Sequence, residues 1–280
     1  MIITFLIASI GFEYLQVDPV AQRAGMGYAL GADGYSVQYN PSGLCYSSEA
    51  YYSASYLNYI GGTHFGFLGY EKNQIGLGIR YFYSGSIKKT DALGNDFGSF
   101  CTNFIDLTFG KGFFYNDIGL GASLKLVYEN IDSLFSLGGG VDIGGMYFLT
   151  DANIQIGLAI KNLGTCIKPF IDQKESMPYE INLGVAKRLE DGWVGVDLVK
   201  PALIDFGLRI GGEYSLNPLF SIKASYNTIQ SSMRTGNGGD ILTGIMVGFA
   251  IRKNSLLINY VYAPYFDLGG GHRISISRGG

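Results

Sequence analysis

A scattered set of charges gives this 280-residue chain its best candidates for chemistry: Asp106, Lys125, Glu129, Lys161, Glu180, Arg188, Asp205, Arg209, Glu213 and Arg252. They fall on the side of each segment that otherwise carries Gly, Ala and Ser, while bulky apolar residues take the alternate positions. Both signs occur, so these groups can pair across an enclosed space or line a permeation path and tune what passes. Catalytic constellations are harder to assemble. His64 and His272 are the two histidines, and neither accompanies a Gly-x-Ser-x-Gly nucleophile turn. Cys45, Cys101 and Cys166 are odd in number and lack zinc spacing. The run Gly138–Gly145 invites a dinucleotide reading, but that motif needs a strand before it and a helix after it, and this run lies inside an alternating stretch. No enzyme activity, metal or cofactor is expected.

The elements that carry these charges are strands. In 117–129 the apolar set is Ile118, Leu120, Ala122, Leu124, Leu126 and Tyr128, interleaved with Asp117, Gly119, Gly121, Ser123, Lys125 and Glu129. In 153–163, Ile154, Ile156, Leu158 and Ile160 alternate with Gln155, Gly157, Ala159 and Lys161. Successive side chains of a strand point to opposite faces, so each segment has one greasy face and one small or charged face. The greasy face is nearly free of charge, which makes it the outside of the molecule.

Composition agrees. Charged residues are 15%, against roughly 25% in soluble domains, and mean hydropathy is positive. Gly reaches 42 residues, Tyr 21 and Phe 18. No apolar run after the N-terminus is long enough for a spanning helix, so a greasy, aromatic, Gly-rich chain points to a transmembrane β-barrel. The net charge of −3, with no basic block, recommends no nucleic-acid partner.

The pattern predicts about fourteen strands, at 49–60, 62–72, 74–84, 101–113, 116–130, 136–149, 151–163, 178–189, 192–200, 204–215, 217–227, 241–252, 255–264 and 270–278. After even strands come tight polar turns such as Glu71-Lys72-Asn73 and Arg252-Lys253-Asn254; after odd strands come longer loops, notably 85–100, 164–177 and 228–240. Short turns at one end and longer loops at the other suit an outer-membrane barrel. Aromatics beside the turns, as in Tyr81-Phe82-Tyr83, Phe113-Phe114-Tyr115, Tyr147-Phe148 and 260–265, read as interfacial girdles, or as core packing if the fold were soluble. Small inward residues (Gly76, Gly78, Gly119, Gly121, Gly157, Gly244, Gly248) leave room inside the wall. Residues 1–11 read as a secretory signal, or as the remainder of a longer one since no basic residue precedes its apolar core; the alternative is a buried first strand.

Residues 12–48 do not alternate. They hold Arg23-Ala24-Gly25-Met26-Gly27, an acidic turn at Asp33, and Asn40-Pro41-Ser42-Gly43-Leu44; Asp267-Leu268-Gly269 and His272-Arg273-Ile274-Ser275 stand near the other end. These two stretches resemble the N-terminal signature and closing motif of the PorV/PorQ group within the FadL-like outer-membrane barrels. The resemblance is detailed over about 30 N-terminal and 10 C-terminal residues and architectural between them. It implies a fourteen-strand all-β transmembrane barrel over 49–280, with 12–48 folded into the lumen as a hatch. It marks Arg23, Gly25, Met26, Gly27, Asn40, Pro41, Gly43 and Leu44 as the hatch motif, and Asp267, His272 and Arg273 as the closing motif. A periplasmic tail is the other reading of 12–48. One departure stands out: Ser277-Arg278-Gly279-Gly280 replaces the terminal aromatic common in such barrels. The resemblance implies an outer-membrane location with lipid as partner, and two functions. One is passage of a small hydrophobic ligand; the other is a partner role with type IX secretion-system subunits. A structural surface antigen is a third class.

Overall fold

A computed structural model describes residues 10–23, 26–27, 29–233 and 240–279. The strands are β1 (Tyr51–Asn58), β2 (His64–Lys72), β3 (Ile75–Tyr83), β4 (Ile87–Thr90), β5 (Asp96–Phe100), β6 (Thr102–Tyr115), β7 (Ile118–Ile131), β8 (Leu134–Leu149), β9 (Ile154–Lys168), β10 (Glu180–Leu189), β11 (Gly192–Pro201), β12 (Gly207–Ser215), β13 (Phe220–Asn227), β14 (Ile245–Lys253), β15 (Leu256–Pro264) and β16 (Gly270–Gly279). All except β4 and β5 form one closed antiparallel barrel of fourteen strands, each paired with its neighbour in the chain. Closure comes from β1 against β16, in register from Tyr51↔Gly279 to Asn58↔His272. A closed wall satisfies every strand's backbone groups without a free edge, which is what a bilayer demands.

The wall follows the alternation. In β7, Gly119, Gly121, Ser123, Lys125, Val127 and Glu129 are buried, while Leu124 between them is 64% exposed. Leu68, Leu77, Leu107, Leu158, Ile210, Val247 and Ile276 continue an exposed apolar band around the outside. Water would not tolerate a patch of that extent on a monomer; hydrocarbon does. Among the described residues no helix is long and apolar enough to cross a membrane.

The tight turns use residues that accept a left-handed backbone. Asn73, Asn116, Asn153 and Asn254 all have positive φ, between 49° and 54°. The other end departs from the expected pattern at three places. Residues 85–100 contain the hairpin β4–β5. The connection after β7 is only Asp132-Ser133, with Asp132 at φ 55°. And β9 runs on to Lys168, five residues past its expected end at 163. The cause of the last is a β-bulge, where the β8–β9 register slips between Val141 and Ile143. Lys161 and Asn162 both face inward there, Asn162 at φ 57°, and the phase of alternation reverses beyond them.

The apolar core lies inside the barrel, between the wall and residues 10–48. Phe12, Tyr14 and Leu15 pack with Leu57, Phe65, Val127 and Met177. Val20, Tyr35, Val37 and Tyr39 pack with Phe67, Ala159 and Val199. Some expected girdle aromatics belong to this interior: Phe82 stacks on Phe104, 4.9 Å away, and Tyr265 is buried. Tyr81, Tyr83, Phe113, Tyr115 and Tyr147 do point outward.

Candidate functional site: the filled lumen

The lumenal segment is built around short turns. Asn40 caps the turn Pro41–Tyr46, its Oδ1 accepting from Ser42 N (3.1 Å) and Ser42 Oγ (2.6 Å). Pro41, with no N–H to satisfy, occupies the first turn, where that lack costs nothing. The Asn40 amide also reaches the wall, donating to the carbonyls of Gly145 (3.4 Å) and Leu158 (3.3 Å). Leu44 is fully buried, and Gly43 packs so closely on Gly31 and Ser36 that a Cβ on it would meet Ser36 Oγ at 2.8 Å. Upstream, Arg23 makes a two-pronged contact with Asp33, Nε donating to Oδ2 (2.8 Å) and Nη2 to Oδ1 (2.5 Å). Its Nη1 donates to the Gly27 carbonyl (2.8 Å), and the guanidinium lies over the Tyr39 ring. Burial works against this charge, but Asp33 outweighs it and raises the Arg23 pKa above its ordinary value. Met26 is buried and Gly27 N donates to Asp197 of β11 (2.8 Å). Gly25 lies outside the described residues, as do residues 1–9 of the expected signal.

Polar ties fasten this segment to the wall. Glu71 of β2 accepts from Ser36 N (2.5 Å) and Ser47 Oγ (2.7 Å). Tyr35 OH donates to the Ala54 carbonyl (3.0 Å), Arg80 Nη1 to that of Leu15 (3.0 Å), and Lys223 Nζ to that of Gln22 (3.1 Å).

The charges singled out from the sequence separate into three settings. Asp106, Lys125, Glu129, Lys161, Glu180 and Glu213 are buried in the lumen. Asp106 pairs with Arg80 (3.3 Å), and Lys125 with Asp142 (3.0 Å). Asn162, at the bulge, joins that second pair: its N–H donates to Asp142 and its Oδ1 accepts from Lys125, both at 2.6 Å. Lys161 and Glu180 face one another in register across β9 and β10. Glu213 pairs with Lys223 (3.0 Å) and Arg252 (3.4 Å). Arg209 is half-buried deeper in the lumen, whereas Arg188 and Arg252 are exposed at its turn end. Asp205 corrects the expectation: β12 starts only at Gly207, which leaves Asp205 exposed in the preceding loop. Gly244 likewise lies before β14, at φ 100°. The closing-motif residues diverge. Asp267 is in an exposed turn, His272 is on the outer face accepting from or donating to Tyr260 OH (2.8 Å), and Arg273 points inward, Nε donating to the Asp18 carbonyl (3.0 Å).

Sequence reasoning did not single out Arg80, Asp142, Asp197, Glu71 or Lys223. The inward phase of Arg80 within Ile79-Arg80-Tyr81 was a usable signal; Asp142 was hidden inside the Gly run.

The filling is one-sided. Leu44, Val37, Cys45 and Pro41 sit directly on Gly76, Gly110, Gly112 and Gly121 of β3, β6 and β7. Toward β10–β16 the lumen holds two cavities instead. The upper one, at the loop end, is about 410 Å³ and is bordered by Tyr59, Arg209, Met246 and Arg273. The lower one, at the turn end, is about 420 Å³ and holds Trp193 with Arg188 and Arg252. A third, much smaller space of about 20 Å³ lies beside Tyr39, Lys161, Glu180 and Arg209. Gln16, Val17, Asp18 and Arg209 border both the upper cavity and this small space.

A plugged, membrane-spanning β-barrel is therefore the class that wall and lumen define. Its fold is that of the FadL-like outer-membrane barrels. The toluene transporter TodX of Pseudomonas putida superposes with a TM-score of 0.57 at 13% identity, over 90% of this chain and 95% of that one. The CymD monoaromatic hydrocarbon channel gives 0.59 at 12%, over 93% and 96%. A Pseudomonas aeruginosa FadL homologue gives 0.56 at 13%, over 90% and 94%. No protein-family model and no curated protein sequence matches the chain.

Proposed function

We propose that this protein is an outer-membrane transport barrel that carries small, largely apolar compounds through its lumen. The observation that carries the reading is the one-sided filling: two cavities of similar size, one toward the loop end and one toward the turn end, stand on the β10–β16 side. Two such spaces suit stepwise passage, with the lumenal segment as the part that must give way. Solved barrels of the same fold are named as a toluene transporter and a hydrocarbon channel, which supports this choice of cargo. The apolar exterior supports a membrane location, with lipid against the wall.

The test is uptake of toluene by vesicles containing the purified protein, whose barrel state is verified by heat-modifiable mobility on a detergent gel. Entry faster than into empty vesicles is expected; equal rates would remove the reading.

A second reading rests on the rim. Leu93 and Phe97 in the β4–β5 hairpin, with Ile171, Leu203 and Phe206, are strongly exposed apolar residues at the loop end. That surface suits the export-partner role implied by the PorV/PorQ resemblance. Co-purification of large secretion-system subunits from native membranes, lost on Phe97→Ser and Leu93→Ser, would support it over solute passage.

A further inference from the structure

Four basic side chains stand on the outer wall toward its turn end, all within seven neighbouring strands, β14–β16, β1–β3 and β6. Lys253 ends β14, Arg278 lies one residue from the end of β16, Lys72 ends β2, and Lys111 is on β6. All four are exposed, while Glu71, Ser277 and Gly110, which alternate with three of them, are buried inside. Strand register gives their spacing. Lys253 pairs with Leu256, Leu256 with Arg278, Arg278 with Tyr52, and Tyr52 with Tyr70. Two residues beyond Tyr70, Lys72 pairs with Ile75, and Ile75 with Lys111. A cation therefore recurs on every second strand, each about 10 Å from the next across the sheet.

Among the described residues, none of the four forms an ion pair. The exposed acids nearest this rim, Glu49 and Asp117, lie in the connections rather than on the wall. The remaining strands differ. On β7–β13, Lys187 is the outward-facing cation toward the turn end among the described residues, and the turns there carry Asp151, Glu190 and Asp191. Cations at a membrane–water boundary sit in the headgroup layer, where lipid phosphates are their natural counter-ions. A guanidinium can take two phosphate oxygens at once. Tyr52 and Tyr70 stand between Arg278 and Lys72, with ring centroids 5.1 Å apart. Their rings suit the upper acyl chain and their hydroxyls suit the glycerol region.

We propose that this sector of the outer wall binds anionic phospholipid from the leaflet at the turn end, its phosphates on Lys253, Arg278, Lys72 and Lys111 and its glycerol region against Tyr52 and Tyr70. The surface faces away from the lumen, so its occupancy does not depend on what passes through.

The test is native mass spectrometry of the full-length protein released from micelles that hold equal amounts of phosphatidylglycerol and phosphatidylcholine with the same acyl chains. Retention of phosphatidylglycerol about threefold or more above phosphatidylcholine is expected, since each basic residue near a membrane surface favours an anionic lipid several-fold. The combined variant Lys72→Gln/Lys111→Gln/Lys253→Gln/Arg278→Gln should lose that preference, while Lys187→Gln on the other side of the wall should keep it. Each variant is first shown to be folded by heat-modifiable mobility. Should the combined variant fail to fold, Arg278→Gln and Lys72→Gln singly should each reduce the preference. Equal retention of the two lipids by the wild type overturns the proposal, as does an undiminished preference in the folded variants. Displacement of the retained lipid by millimolar inorganic phosphate would also overturn it, because the site would then belong to free phosphate.

Discussion

One half of the lumen is packed and the other is hollow, and the two are walled by strands of different length. On the packed side β6–β9 run 14 to 16 residues, and their inner face is paved with glycines against which the lumenal segment lies. On the hollow side β10–β16 run 8 to 10 residues, and their inner face carries Arg, Trp, Glu and Lys around open space. The difference shows where rigidity and passage are assigned. A backbone-to-backbone contact has no side chain to swing aside, so the glycine half anchors the plug. Side chains that border open space can rearrange, so the hollow half is where a route can open.

The largest effect that could break this division is at the bulge. Lys125 and Asp142 are both buried, and Asn162 hydrogen-bonds to each. Lys125→Met leaves the Asp142 carboxylate uncompensated, which should cost about 3–5 kcal/mol. Thermal or urea unfolding followed by gel mobility measures it, and a Lys125→Met/Asp142→Leu double variant should recover most of the loss. Full stability in the single variant would mean that the packed half is looser than drawn.

Gly121→Ala comes next. Its Cβ would collide with the backbone of Pro41 and Ser42, which cannot rotate away, so overpacking of about 1–3 kcal/mol is expected. The same unfolding measurement checks it, and a neutral result would show that the plug can shift as a body.

The contrast was only partly legible in the sequence. Alternation revealed the wall because a two-sided strand in lipid must keep its phase, and the positive-φ asparagines marked one rim. The phase reversal at Lys161-Asn162 could not be foreseen, because a bulge is a tertiary event: it forms where Asp142 on the neighbouring strand draws two residues inward. The β4–β5 hairpin was missed because Ile87–Thr90 and Asp96–Phe100 are short, exposed and without a buried face. Parity assigns a charge to the inner face but says nothing of its depth. Arg188 and Lys161 both lie on inward-facing positions, yet one is exposed at the mouth and the other buried midway. The glycine contacts were visible only as a preference for small residues; that Pro41 in particular lies on Gly121 depends on how residues 12–48 coil. Partners of Arg273 were equally out of reach, since Asp18 is 255 positions away.

On the hollow side, substitutions should separate stability from passage. Leu257→Trp at the lower cavity enlarges a side chain that borders free space, so it should cost less than about 1.5 kcal/mol while slowing toluene entry into vesicles. The smallest expected change is Arg188→Ala. Arg188 stands opposite Trp193 in register at the mouth and is exposed, so its removal should leave the unfolding midpoint within about 0.5 kcal/mol of wild type. Trp193 is the single tryptophan of the chain and faces the same cavity, so its emission reports that mouth directly. A changed emission spectrum with unchanged stability is the expected result for Arg188→Ala. A drop in stability of the size predicted for Gly121→Ala would instead make this mouth as tightly packed as the glycine side and erase the difference between the two halves.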